Sequence, residues 1–115
     1  NALAGQSQTE YETDYWALST LQAVQNLCQS LPENTTIVLS ASEPMSLLAL
    51  QNSLKGLTNS QQQRVRITDA EQADYLVDNY LYARIYQVQV PADFAWRFSI
   101  ASYGKTLCSV YQKVK

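Results

Sequence analysis

The stretch Ala-Asp-Tyr-Leu-Val-Asp-Asn-Tyr-Leu-Tyr-Ala-Arg-Ile-Tyr-Gln-Val-Gln-Val, residues 73–90, decides how the chain is read. It is rich in tyrosine and aliphatic residues and reads as one long strand. Val77, Leu81 and Ile85 fall on one face with Tyr75. Leu76, Tyr80, Tyr82, Tyr86, Val88 and Val90 fall on the other. A strand apolar on both faces is either covered on both or offers one to a partner. Downstream, Phe94, Trp96, Phe98 and Ile100 alternate with Ala95, Arg97, Ser99 and Ala101, the pattern of a half-buried strand. Tyr103-Gly104-Lys105-Thr106 supplies a hairpin turn with glycine where positive φ is needed, and 107–114 returns as the last strand. Residues 73–114 therefore predict three consecutive meandering strands.

Upstream, two helices alternate with two short strands. Thr9 to Glu12 fits a capping box, and Glu10, Glu12 and Asp14 suit a helix N-terminus. Tyr11, Tyr15, Leu18, Leu21, Val24, Leu27 or Cys28, and Leu31 recur every three or four residues up to Pro32, which predicts an amphipathic helix. Residues 36–41 read as a buried strand. Ser42 then reads as the N-cap of a second helix, lined by Met45, Leu47, Leu48, Leu50, Leu54 and Leu57 and weakened at Gly56. Asn59 and Ser60 end it, Gln61 to Gln63 form a polar connection, and 64–68 alternates as a strand. Asp69 caps one helical turn before the long strand. Residues 1–8 read as a flexible tether and 9–115 as a single domain. The expected fold is α+β, an α/β sandwich. Its order is α-β-α-β-β-β-β, with a mixed sheet of about five strands and two main helices packed on it. The strand–helix–strand unit predicts a parallel crossover.

Composition narrows function. The 115 residues carry eight Lys and Arg against ten Asp and Glu, and the basic residues read as scattered. That argues against nucleic acid as a partner. The sequence contains no His, so Ser–His–Asp and Cys–His sites are excluded. Asp74 and Asp78 share a strand face but lie about 13 Å apart by strand rise, too far to share a proton. Gly104-Lys105-Thr106 echoes the end of a phosphate loop, but Ser99 stands where its upstream glycine belongs. Neither a catalytic residue, a metal ligand nor a cofactor site is predicted. Cys28 and Cys108 are the only cysteines. They read either as a disulfide between the first helix and the last strand or as two buried thiols. Tyr80, Tyr82, Tyr86, Tyr103 and Tyr111 are the predicted partner-binding residues, because tyrosine joins apolar area to a polar tip. The alternative use of these aromatics is a stacking platform around Trp96 for a small molecule or a peptidoglycan fragment.

The segment 73–78, the strand beginning at Phe94, and 102–111 with its hairpin glycine together resemble small α/β domains of Gram-negative envelope lipoproteins. Examples are the N-terminal domain of TolB, CsgG and LpoB. The resemblance covers about residues 36–114. It implies a non-enzymatic, periplasm-facing domain, outer-membrane anchored through a segment outside this chain, that docks other envelope proteins. The chain departs from the pattern in two ways. An Asn- or Asp-rich loop after the first strand is replaced by Ser42-Glu43-Pro44, and the acylated N-terminal cysteine of a lipoprotein is absent. No residue role is carried over from that family.

Overall fold

The computed structural model describes residues 18–81, 87 and 89–114. Expectations for the tether, the first capping box, Tyr11, Tyr15, Tyr82, Ile85, Tyr86 and Val88 lie outside these residues. Helix α1 occupies 18–30, followed by β1 (Ile37–Ser40), α2 (Pro44–Ser53), a 3₁₀ turn (Leu54–Gly56) and α3 (Asn59–Arg64). Then come β2 (Val65–Ile67), β3 (Tyr75–Asn79), β4 (Phe94–Ser102) and β5 (Lys105–Lys113). The five strands form one mixed sheet in the order β2-β1-β3-β5-β4. The fold is α+β, as the sequence predicts.

The two halves of the sheet arise differently. β1 and β2 pair in parallel, Ile37 beside Val65 and Leu39 beside Ile67, with α2 in the crossover between them. β3 lies parallel on the other side of β1, Leu39 beside Tyr75. β3 and β4 are each antiparallel to β5. The expected meander would have placed β4 beside β3, whereas β5 lies between them. The pairing makes β3 and β4 mutually parallel. Parallel strands need a crossover of a dozen or more residues, and 80–93 provides that length.

The helices cover one face of the sheet. Ala23, Val24 and Leu27 of α1 and Leu50 of α2 pack with Ile37, Leu39, Val77, Cys108 and Val110. The buried stripe of α1 is turned from the expected one: Leu18 is exposed while Ser19 and Thr20 are buried. The start of the described helix faces polar groups of the sheet, which suit hydroxyls. Leu48 is exposed in α2 for the complementary reason, since Ser46, Leu50 and Ser53 form its buried face. On the opposite face of the sheet, Leu76, Ala73 and Phe94 form a smaller cluster with Ala70, Val90 and Tyr111.

Three local expectations are corrected. Glu43, not Ser42, caps α2; its carboxylate accepts from the amides of Met45 (2.8 Å) and Ser46 (2.6 Å). Residues 59–64 form α3, with a capping box between Thr58 and Gln61, rather than a polar connection. Gly56 lies in the turn before it, where an added Cβ would sit 2.7 Å from Leu21 Cδ2.

The third correction concerns the long strand, which ends at Asn79; residues 80 and 81 are helical. Asn79 Oδ1 accepts from the Leu81 amide at 3.1 Å and so caps that turn. Its Nδ2 donates to Thr20 Oγ1 at 3.2 Å, and its amide donates to Ser46 Oγ at 3.0 Å. Asn79 thus ties the strand to both helices where the chain leaves the sheet.

Candidate functional site

A buried polar layer lies at the carboxyl ends of β1 and β3. The Asp78 carboxylate accepts from the Ser42 amide (2.7 Å) and the Ser42 hydroxyl (2.6 Å). Burial pushes the Asp78 carboxyl above the usual range. The two Ser42 bonds act against that rise, and the charge of Glu43 adds to it. Cys108, level with Asn79 in the sheet, is fully buried, and its thiol is pushed up to about 12. Burial is the main cause and the charge of Asp78 a second, against a hydrogen bond with Thr20. Among the described residues no buried side-chain N or O lacks a hydrogen-bond partner, and no His/Cys/Asp/Glu group of three could hold a metal ion. The layer fastens the helices to the sheet.

The layer also corrects the disulfide reading. Cys28 and Cys108 are free, buried thiols that are not near one another. Cys108 sits beside Thr20, near the start of the described helix. Cys28 comes eight residues later, about 12 Å along the axis. A disulfide requires Cα atoms within about 7 Å.

Asp78 gives a testable pH dependence. Its folded pKa lies above the unfolded value, so the folded state holds the proton more tightly. This contribution to stability grows as pH falls from neutral through the raised pKa, and it levels off below the unfolded value of about 3.9. Asp78→Asn keeps an acceptor for the Ser42 amide and removes the buried charge. It is expected to raise the urea midpoint at pH 7.5, with an advantage over wild type that shrinks by pH 4.5. An advantage independent of pH, or a clear loss of stability at pH 7.5, would show that the carboxylate is not penalised by burial.

The second grouping is the β4–β5 hairpin. A register shift at Arg97 changes which face β4 presents. Trp96 lies opposite Tyr111, yet Phe98 lies opposite Val110, the next residue of β5. Cross-strand partners share a face. Phe94 and Trp96 therefore lie on the side away from the helices with Tyr111, while Phe98 and Ile100 join the helix-side core. The single alternating face read from the sequence is split in two by this bulge.

Trp96 consequently stands out, 64% exposed. Its indole Nε1 donates to Ser99 Oγ at 2.8 Å, which contacts Ser109 Oγ at 2.8 Å. Tyr111 also bonds with Ser109 and is half-buried. Burial is the first cause raising its phenol pKa, the Ser109 bond acts against it, and the charges of Asp78 and Cys108 add to it. Trp96 and Tyr111 are thus cross-strand partners linked through Ser99 and Ser109. Tyr103 is 93% exposed at the hairpin tip, eight residues or about 25 Å of strand from Tyr111. Tyr80 is exposed on the helical turn after β3. Tyr82 and Tyr86 lie outside the described residues. The five predicted tyrosines are thus not one flat strand face. Trp96, which the sequence names only for the alternative stacking platform, is the large aromatic they omit.

The hairpin turn is strained at one place. Tyr103 has φ 51° and Gly104 φ 75°. Two positive-φ residues make the turn that best joins twisted antiparallel strands. Glycine suits the second position; an aromatic residue at the first is disfavoured relative to asparagine.

No family model, curated protein or solved structure matches this chain. No helix among the described residues is long and apolar enough to cross a membrane. With both thiols free, the cysteines lend no support to an oxidising compartment, and the envelope assignment rests on the resemblance alone.

Proposed function

We propose that this is a non-enzymatic, protein-binding or scaffolding domain of a bacterial envelope assembly, periplasm-facing and anchored at the outer membrane. Its contact surface is the β4–β5 hairpin. The observation that carries this choice of surface is Tyr103, an almost fully exposed ring held in a left-handed conformation where asparagine would be more stable. Trp96 supports it, an exposed indole fixed by Ser99 rather than loose in solvent. Large rings with limited rotamer freedom are favoured anchors in protein interfaces.

Tyr103→Asn separates folding from binding. It is expected to stabilise the domain by about 0.5–1 kcal/mol through the turn while weakening partner capture. A photo-crosslinking residue at position 96 or 103, introduced in cells that make the protein, is expected to give discrete heteromeric adducts. The same residue at the exposed Leu48 of α2 is expected to give none. Absence of adducts at both hairpin positions, or adducts equal to those at Leu48, would remove this surface from consideration.

One observation favours a second reading, a binder of small molecules or peptidoglycan fragments. The open face of Trp96 beside Tyr111 is a geometry on which a sugar ring can stack. It predicts a fluorescence change with soluble peptidoglycan fragments that Trp96→Phe abolishes.

A further inference from the structure

We infer that the partner of the hairpin is an acidic polypeptide segment that binds in extended form as a sixth strand along β4. The inference rests on the docking reading above and names the chemistry of its partner.

Three observations carry it. First, β4 is an edge of the sheet and runs nine residues, against three for the opposite edge, β2. Beyond Phe94, the backbone of β4 makes no hydrogen bond except to β5 among the described residues. Edge strands are usually guarded by shortness, proline, an outward charge or a bulge. β2 is short and carries the exposed Arg66. β4 contains no proline, and its one charge is turned back over the sheet. The Arg97 guanidinium lies 5.6 Å from the centre of the Tyr75 ring, and its Nη1 donates to Gln112 Oε1 at 2.7 Å. The bulge at Arg97 disturbs only the first part of the edge. In the second register shift, between Ile100 and Ala101, the extra residue, Leu107, belongs to β5. Phe98 to Ser102 is left as an uninterrupted, uncharged edge.

Second, charge is divided along the chain. Before Phe94 stand ten carboxylates and four cations, a net −6. From Phe94 onward there are Arg97, Lys105, Lys113 and Lys115 and no Asp or Glu, a net +4. Lys105 pairs with Ser102 at the far end of the open edge. Lys105 is exposed. Three of the eight basic residues, Arg97, Lys105 and Lys113, belong to this hairpin.

Third, the same charges argue against the other occupants. A second copy placed edge to edge would set the three cations of one hairpin against the three of the other. A nucleic acid would meet the cations, but its backbone has no amide to pair with β4. An extended peptide satisfies both the open backbone groups and the cations.

The test uses the full chain and a fluorescein-labelled peptide, acetyl-Glu-Val-Thr-Val-Thr-Val-Glu, read by anisotropy at low salt. Saturable binding is expected. It should weaken about tenfold or more when both Glu are replaced by Lys or when alternate peptide amides are N-methylated, and about threefold in the Lys105→Gln protein, whose folding is checked by its urea midpoint. The N-methyl peptide alters the probe alone, so misfolding cannot imitate its effect. Equal binding of the N-methyl or Lys peptide overturns the inference. So does absence of binding, tighter binding of an oligodeoxythymidylate, or sedimentation as a β4-mediated dimer. Hairpin crosslinks to a partner without acidic-peptide binding would leave the docking reading standing and remove this one.

Discussion

Replacement of Arg64 by Leu is expected to destabilise the domain by about 2–3 kcal/mol, one of the larger effects available outside the apolar core. Arg64 ends α3, yet its guanidinium serves the end of α1. Nη1 donates to the Cys28 carbonyl (2.8 Å), Nη2 to the carbonyls of Pro32 (2.7 Å) and Leu31 (3.3 Å), and Nε to that of Thr35 (3.3 Å). The last carbonyls of a helix have no intrahelical donor, and a cation there also complements the helix dipole. Pro32 has no amide hydrogen to offer them. Arg64→Lys should recover less than half of the loss, because an ammonium cannot span carbonyls on both sides of the turn. Urea midpoints of the three proteins decide the matter. A Lys variant within about 0.5 kcal/mol of wild type would mean that charge alone, not the fork of donors, closes this turn.

Asn79→Ala should cost about 2–4 kcal/mol, because it strips partners from groups that stay buried or capped. The Thr20 hydroxyl loses its Asn79 donor, and the Leu81 amide loses its cap. Ser46→Ala removes a single contact to the Asn79 amide and should cost about 1 kcal/mol. The two losses should be non-additive in the double variant, since both act on one network. A loss below about 1 kcal/mol for Asn79→Ala would show that the strand ends at residue 79 for a reason other than this side chain.

Asn79 also marks the limit of what the sequence discloses. The periodic segments were legible: the body of α1, β1 with α2, β2, and the hairpin with its glycine all follow from local spacing and turn chemistry. The strand drawn through residues 73–90 failed because what ends it is non-local. Thr20 and Ser46 lie 59 and 33 residues away, although an asparagine inside a β-rich run was a local warning. The outward turn of Trp96 is hidden from the sequence for a related reason. A bulge at Arg97 shifts pairing by one residue, and a one-residue slip transfers every later side chain to the other face. Periodicity alone cannot place such a slip. The position of β5 between β3 and β4 depends on strand direction, which local pattern does not encode. The division of charge after residue 93 was plainly written in the sequence and needed only to be counted by segment.

The cap of α2 has a further consequence for the ligands this fold can take. In open sheets of parallel strands, phosphorylated molecules settle where a strand's carboxyl end feeds the following helix, with the first free amides as their cradle. Here that socket is plugged from within. The Glu43 carboxylate already holds the amides of Met45 and Ser46, and Asp78 holds that of Ser42. A nucleotide or sugar phosphate would have to evict two tethered anions and then bear the repulsion of both. The architecture keeps the outline of a phosphate receptor while its own side chains act as the permanent occupant.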